Sequence, residues 1–459
     1  MTEPEDPFDT WLHTQVEPLR PPPGTYEQIK KRAKRRKMRR AVMSAASAGG
    51  VAVVIVAAIV AVPRLVPSLH SSPRPAAASS RTPPKYSPSQ TATSPARMTP
   101  SSSSPGTGTE MARVPADFAP TSITFVNFND GWVIGQAPGC GQTYCTSVAE
   151  TMNKGATWTP VPAPQTGPPD GSTGVSQIRF LNASNGWAFG PQLYETHNGG
   201  QSWTAVDTYG LRVTDLETVG AMAYAVFAKC TGSGPDFAAG CTNVSVYSSP
   251  VGSDTWSPMP TLNGLGFNRG DVSGKIVLTN GTGGQGYFYA PDGLLYSGSP
   301  TQGTNWQLVV ESQMPCQPFS AQPDGQPSGG QLAASVPGDL VLACPGATGS
   351  NQEKIYASSN GGQSWTQQGT LTVKGSATSL AAGTTGALEL ATTGGLYQSV
   401  DGGQQWQLTA QGPPGGFSYV GMTSDVQGVA VPAEPAQSNS VWVTKDAGAT
   451  WNQSSLTNP

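Results

Sequence analysis

Residues 196–203 read T-H-N-G-G-Q-S-W and residues 358–365 read S-S-N-G-G-Q-S-W. Five more segments close on the same indole: T-M-N-K-G-A-T-W at 151–158, S-P-V-G-S-D-T-W at 249–256, S-P-T-Q-G-T-N-W at 299–306, S-V-D-G-G-Q-Q-W at 399–406 and T-K-D-A-G-A-T-W at 444–451. The seven tryptophans, Trp158, Trp203, Trp256, Trp306, Trp365, Trp406 and Trp451, are spaced by 45, 53, 50, 59, 41 and 45 residues. A repeat of that length is the period of propeller blades.

Each position of the segment has a physical task. The Asn or Asp (Asn153, Asn198, Asn360, Asp401, Asp446) can accept hydrogen bonds from backbone N–H groups of its own turn. The glycine two residues on (Gly155, Gly200, Gly362, Gly403, Gly448) can adopt a left-handed conformation that other residues resist. The leading Ser or Thr adds a short-range acceptor, and the tryptophan opens the next strand with a large apolar face to bury. The segment is therefore expected to be the stapled tip of a β-hairpin. The third and fourth copies lack the Asn/Asp; the fourth keeps Gly303.

These segments resemble the Asp-box, or BNR, repeat of sialidase-like and sortilin-like propellers. They are most similar to the variant in photosystem-assembly propellers, where a G-W-x-x-G strand precedes the box. That strand reads G-W-V-I-G at 131–135 and G-W-A-F-G at 186–190, and plainer apolar strands (L-V-L-A at 340–343, G-V-A-V at 428–431) replace it later. The resemblance spans residues 120–455. It implies an all-β fold with four strands per copy, hence a seven-bladed β-propeller over 116–459. It also implies that the boxes lie at the outer rim and serve the turn, not a site.

Outward from the repeats the composition changes. Residues 63–115 are rich in Pro, Ser, Thr and Ala, too poor in large apolar side chains to offset their ordering entropy, and are expected to form a disordered stalk. Residues 41–62 are 22 uncharged residues dense in Ala, Val and Ile, long enough at about 1.5 Å per residue for one membrane-spanning helix. Nine of the eleven residues at 30–40 are basic, so residues 1–40 are expected to remain cytoplasmic and the propeller to lie outside, with the apolar run as an uncleaved signal-anchor. The propeller carries nine Lys/Arg against twenty-one Asp/Glu, which argues against a nucleic-acid partner.

All six cysteines follow the apolar run, which fits disulfides in an oxidising compartment: Cys140 with Cys145, Cys230 with Cys241, and Cys316 with Cys344. No C-x-x-C pair exists to hold a metal, and one histidine, His197, falls in the propeller, so neither a metal site nor a Ser-His-Asp triad is expected. No cofactor fingerprint occurs.

The leading expectation is a membrane-anchored scaffold that binds a protein or glycan through variable loops, above all those around Cys230–Cys241 and at 313–338. A sialidase-like glycoside hydrolase is the alternative implied by the resemblance. Such enzymes clamp a carboxylate with three arginines and use an Asp acid/base with a Tyr–Glu nucleophile pair. Arg113-Val114-Pro115 echoes the first arginine motif, but only Arg179, Arg212 and Arg269 follow, and Arg179 reads as part of an ordinary repeat strand. A transmembrane sensor is a third reading.

Overall fold

The computed structural model describes residues 113–457 except 139–144, 235–237, 239, 254, 266–273, 280–283, 300–305, 311–313, 318–319, 322–326, 348 and 434–438. The expected tail (1–40), span (41–62) and all but the last three residues of the stalk (63–115) lie outside the described residues, as do Cys140, Arg269 and Gly303. Among the described residues no helix is long and apolar enough to cross a membrane.

Seven four-stranded antiparallel sheets follow one another along the chain. Blade one is β1 (Ala119–Phe125), β2 (Gly131–Ala137), β3 (Cys145–Thr151) and β4 (Thr159–Val161). Blade two is β5 (Gln177–Phe180), β6 (Gly186–Phe189), β7 (Leu193–Thr196) and β8 (Thr204–Ala205). Blade three is β9 (Arg212–Val219), β10 (Met222–Lys229), β11 (Thr242–Pro250) and β12 (Ser257–Pro258). Blade four is β13 (Lys275–Leu278), β14 (Gly286–Tyr289), β15 (Leu295–Gly298) and β16 (Gln307–Val310). A two-stranded hairpin, β17 (Ser320–Ala321) and β18 (Pro327–Ser328), intervenes. Blade five is β19 (Gln331–Val336), β20 (Asp339–Pro345), β21 (Gln352–Ser358) and β22 (Thr366–Thr372). Blade six is β23 (Ala377–Ala382), β24 (Leu388–Thr392), β25 (Gly395–Ser399) and β26 (Gln407–Ala410). Blade seven is β27 (Phe417–Met422), β28 (Gly428–Pro432), β29 (Ser440–Thr444) and β30 (Asn452–Ser455).

The apolar side chains sort into seven clusters, and each lies between two consecutive blades. Trp158 joins the cluster between blades seven and one, Trp203 that between one and two, and Trp256 that between two and three. Trp306, Trp365, Trp406 and Trp451 continue the series around the ring. Seven blades in an open arc would make six interfaces; the seventh closes the circle. No strand is exchanged to do so, since blades one and seven are each built from contiguous chain. Closure rests on Ile123, Val133 and Trp158 packing against Val429, Val431 and Val443, and on hydrogen bonds across the seam: Gln427 Nε2 donates to Phe128 O (3.0 Å), Trp158 Nε1 to Ser454 Oγ (3.1 Å), Ser454 Oγ to Gly155 O and Asn439 Nδ2 to Ala116 O.

The expectation that the tryptophan opens a strand needs a correction. Trp158 and Trp203 stand one residue before β4 and β8, as do Trp256 and Trp306 before β12 and β16. The indole turns into the gap between blades, and burying it there governs its place more than strand pairing does.

Five of the connecting turns share one hydrogen-bond pattern. The leading hydroxyl of Thr151, Thr196, Ser358, Ser399 or Thr444 accepts the N–H of Gly155, Gly200, Gly362, Gly403 or Gly448 at 2.8–3.0 Å. The same hydroxyl donates to the Asn or Asp Oδ1, also at 2.8–3.0 Å. That oxygen in turn accepts the N–H of the residue before the tryptophan at 2.9–3.0 Å. The glycines hold φ between 78° and 94°, and a Cβ on Gly403 would come within 2.7 Å of Ile355 in the preceding blade. Both the left-handed conformation and the inter-blade contact require glycine there.

Candidate functional site

Strand direction alternates within each blade, so connections divide between two faces of the ring. The first-to-second and third-to-fourth strand connections leave from one face, and these include the seven tryptophan turns. The second-to-third strand connections and the links between blades leave from the other. The first face is built of short turns, such as Gly220–Ala221 between β9 and β10. The second carries the long segments: 162–176 between β4 and β5, 230–241 between β10 and β11, 259–274 between β12 and β13, and 311–330 with its own hairpin between β16 and β19.

The two described disulfides pin this second face. Cys230–Cys241 closes the β10–β11 connection, and Cys316–Cys344 ties the 311–330 segment to the end of β20. Tyr289 also donates its hydroxyl proton to Cys316 O. These pairs match the expectation from the sequence. The first expected pair has Cys140 outside the described residues; Cys145, where β3 begins, is on the same face.

Tyr209 stands out on this face. It is 71% exposed and left-handed (φ 54°), with its N–H bonded to Asp207 Oδ1 at 2.8 Å. A bulky side chain in that conformation is an outlier that surrounding structure must hold in place.

The innermost strands enclose a cavity of about 390 Å³. Into it project Arg179 from β5, Asp215 and Glu217 from β9, Lys275 from β13 and Tyr419 from β27. Arg179 directs Nε and Nη2 at one oxygen of Glu217 (3.2 and 3.1 Å), and its guanidinium lies 5.4 Å from the centre of the Tyr419 ring. Asp215 Oδ2 accepts the N–H of Ile276 at 2.7 Å. Burial alone would lower the basicity of Arg179, but the Glu217 charge outweighs it and holds the guanidinium protonated. Burial, reinforced by Glu217, pushes the Asp215 carboxyl up to about 6. Burial also raises the Tyr419 phenol.

Arg179 lies on a repeat strand, as the sequence implied, and the ring gives that position a place in the cavity. β5 is an innermost strand, and Arg179 is the centre of the polar channel. The sequence signal was an Arg inside Q-I-R-F at 177–180 and the alternation D-L-E at 215–217 on the equivalent strand of the next repeat. Alternation puts both carboxylates on one face of β9, yet only the ring brings them to Arg179.

The other sequence candidates do not join it. Arg212 donates to Gly232 O at 2.6 Å, at the other end of β9, and Arg113 is exposed ahead of β1. His197 is held by Asn185 Oδ1 at 2.8 Å beside the blade-two turn. Among the described residues no group of three His, Cys, Asp or Glu side chains is placed to hold a metal ion.

No protein-family model and no curated protein matches the chain. Solved structures with a similar fold include YCF48 bound to a D1 peptide, with 19% identity over 73% of this chain and 95% of that one, at a TM-score of 0.46. YCF48 from Cyanidioschyzon merolae shows 16% identity over 66% and 90%, at a TM-score of 0.42. Sqt1 of Saccharomyces cerevisiae shows 9% identity over 75% and 88%, at 0.44. At such identities nothing beyond the fold is comparable.

Proposed function

We propose that this chain is a membrane-anchored, extracytoplasmic Asp-box propeller that binds a protein or glycan through the face bearing the long connections. The observation that carries the reading is the segregation of loop length: the long segments, two of them pinned by disulfides, leave from one face, and the five stapled turns from the other. Rigid strands with variable loops on one side are how propellers present a binding surface. Exposed Tyr209, held in a strained conformation on that face, fits an aromatic anchor. The anchor and stalk at 41–115 and the acidic propeller fit display outside the membrane, away from nucleic acid.

The test is ligand capture by the full-length protein, compared between Tyr209→Ser on the long-loop face and Met152→Ser on the tight-turn face. Both side chains are largely exposed (71% and 70%), so neither change disturbs the core. Loss of capture with Tyr209→Ser and retention with Met152→Ser is expected; the reverse refutes the assignment of the face.

The central cavity supports a second reading, sialidase-like hydrolysis, because it gathers an Asp, a Glu, a Tyr and an Arg. Against it, the one arginine of the cluster among the described residues is engaged by Glu217, and a carboxylate clamp needs free guanidinium forks. Turnover of a fluorogenic sialoside that vanishes in Glu217→Gln would establish hydrolysis.

A further inference from the structure

The turn of blade one departs from its siblings at a position where the departure is unfavourable. The residue before the invariant glycine is left-handed in all five stapled turns: Gly199 (φ 73°), Gly361 (71°) and Gly402 (77°) in blades two, five and six, Ala447 (59°) in blade seven, and Lys154 (67°) in blade one. A left-handed Lys costs roughly 1 kcal/mol relative to Gly. Yet blade one places the longest side chain of the set there.

Lys154 lines a cleft of about 290 Å³ at the seam where blade seven meets blade one. A second lysine, Lys445, lines the same cleft, together with Asn452, Ser454, Ser455 and Thr457. These are two of only six lysines in the acidic 116–459 region. The Lys154 ammonium lies 4.6 Å from the centre of the Phe128 ring, which steadies it. The carboxylate beside Lys445, Asp446, is turned into its own turn by Thr444 and Thr450 and held below the usual carboxylate range: burial acts the other way, but hydrogen bonds from Thr450 and Thr444 prevail.

We propose that this cleft is a binding site for a tetrahedral oxyanion, a phosphate or sulfate group. Two lysines supply point charges and the Asn452 amide a neutral donor, while the Ser454 and Ser455 hydroxyls already donate to Gly155 O and Thr457 O and serve to fix the cleft wall. The cations are Lys and not Arg, which favours a compact dianion over the planar fork-to-fork pairing of a carboxylate. The site spans the seam that no exchanged strand secures, so an anion held there ties blade seven to blade one and stabilises the closed ring. The face is the tight-turn face, opposite to the long loops, and the inference is independent of the proposed function.

The experiment is thermal melting and calorimetric titration of the full-length protein with sodium phosphate, sodium sulfate or sodium acetate against chloride at equal ionic strength. Wild type, Lys154→Gly, Lys445→Gln and the control Lys229→Gln are compared. Phosphate and sulfate are expected to raise the wild-type melting temperature by about 2–4 °C, with acetate well below both. Lys154→Gly has an unusual double signature: it melts above wild type without anion, because the left-handed strain is relieved, and its affinity for the anions falls by about tenfold or more. Lys445→Gln loses the anion response without the gain in melting temperature, and Lys229→Gln behaves as wild type. The proposal fails if wild type shows no anion-specific shift, if acetate matches the dianions, or if Lys154→Gly keeps the full response.

Discussion

Blades two and three are neighbours built to the same plan, and they hold their outer hairpins together by different means. In blade two the β7–β8 turn is closed by the side chains of Thr196, Asn198 and Ser202, and the half-buried Trp203 donates its indole N–H to Pro162 O at 3.0 Å. Blade three has Val251 where blade two has Asn198, and Ser253 where blade two has Gly200. Its turn relies on Ser253 N–H and Oγ bonding to Pro250 O (3.1 and 2.9 Å), and the indole N–H of Trp256 finds no partner among the described residues. What blade three gains instead is length and depth. Its first three strands run to eight or nine residues, Trp256 is buried beside Phe227 and Trp187, and Cys230–Cys241 fastens the far end of the sheet. In both blades the wedge is filled by an indole and the outer strand pairs over two residues, whereas the staple at the tip is absent where three long inner strands and a cross-link hold the sheet.

The sharpest way to break this comparison is at the two indoles. Trp256→Ala should cost about 4 kcal/mol in chemical denaturation, because the surrounding cluster cannot collapse into so large a gap. Trp203→Ala, partly solvated already, should cost about half as much. Equal losses would mean that depth of burial is not what separates the blades.

Removing the cross-link by Cys230→Ala with Cys241→Ala should cost about 3 kcal/mol, the loop-closure contribution for a span of 11 residues. A loss within error of zero would show that strand length alone compensates for the missing staple.

Blade seven extends the test to a turn that is stapled but seated on a misfit. Its Gly448 lies directly over Glu389 of blade six, whose two carboxylate oxygens are buried without a hydrogen-bond partner among the described residues. Burial, reinforced by Asp446, pushes this carboxyl up to about 9, so the folded protein keeps the proton that the unfolded chain releases above about pH 4.5. The folded state therefore binds more protons across that window, and stability is highest at its acid end and falls as pH rises towards 9. Glu389→Gln, which keeps the shape and cannot ionise, should raise stability by roughly 2 kcal/mol at pH 7 and flatten the decline between pH 5 and 8. An unchanged slope would place the titrating group elsewhere.

The smallest expected effect is at the staple. Asn198→Ala should cost about 1 kcal/mol, since it removes one acceptor from a solvent-exposed turn. Val251→Asn, which writes the blade-two residue into blade three, should also be unfavourable by about 1 kcal/mol, because Val251 packs against the cluster between blades two and three. A gain in stability from Val251→Asn would show that the staple can be transplanted after all.

The sequence by itself determined the repeat and the strand content: a Gly forced into left-handed backbone, an Asn or Asp bonding its own turn, and an indole at blade spacing are local necessities, legible wherever they occur. It also determined two cysteine pairs: Cys230 and Cys241 because a separation of 11 residues keeps them close in space, and Cys316 with Cys344, 28 residues apart, as the two that remained. Only the tertiary structure decided that Arg179, Asp215, Glu217 and Tyr419 share one cavity. They come from blades two, three and seven, and the curvature of the ring, not chain proximity, brings them together. The same holds for the segregation of long loops to one face and for the seam lined by Lys154 and Lys445. Strand direction and ring closure are sums over many side-chain contacts between blades, and no single segment of the chain encodes them.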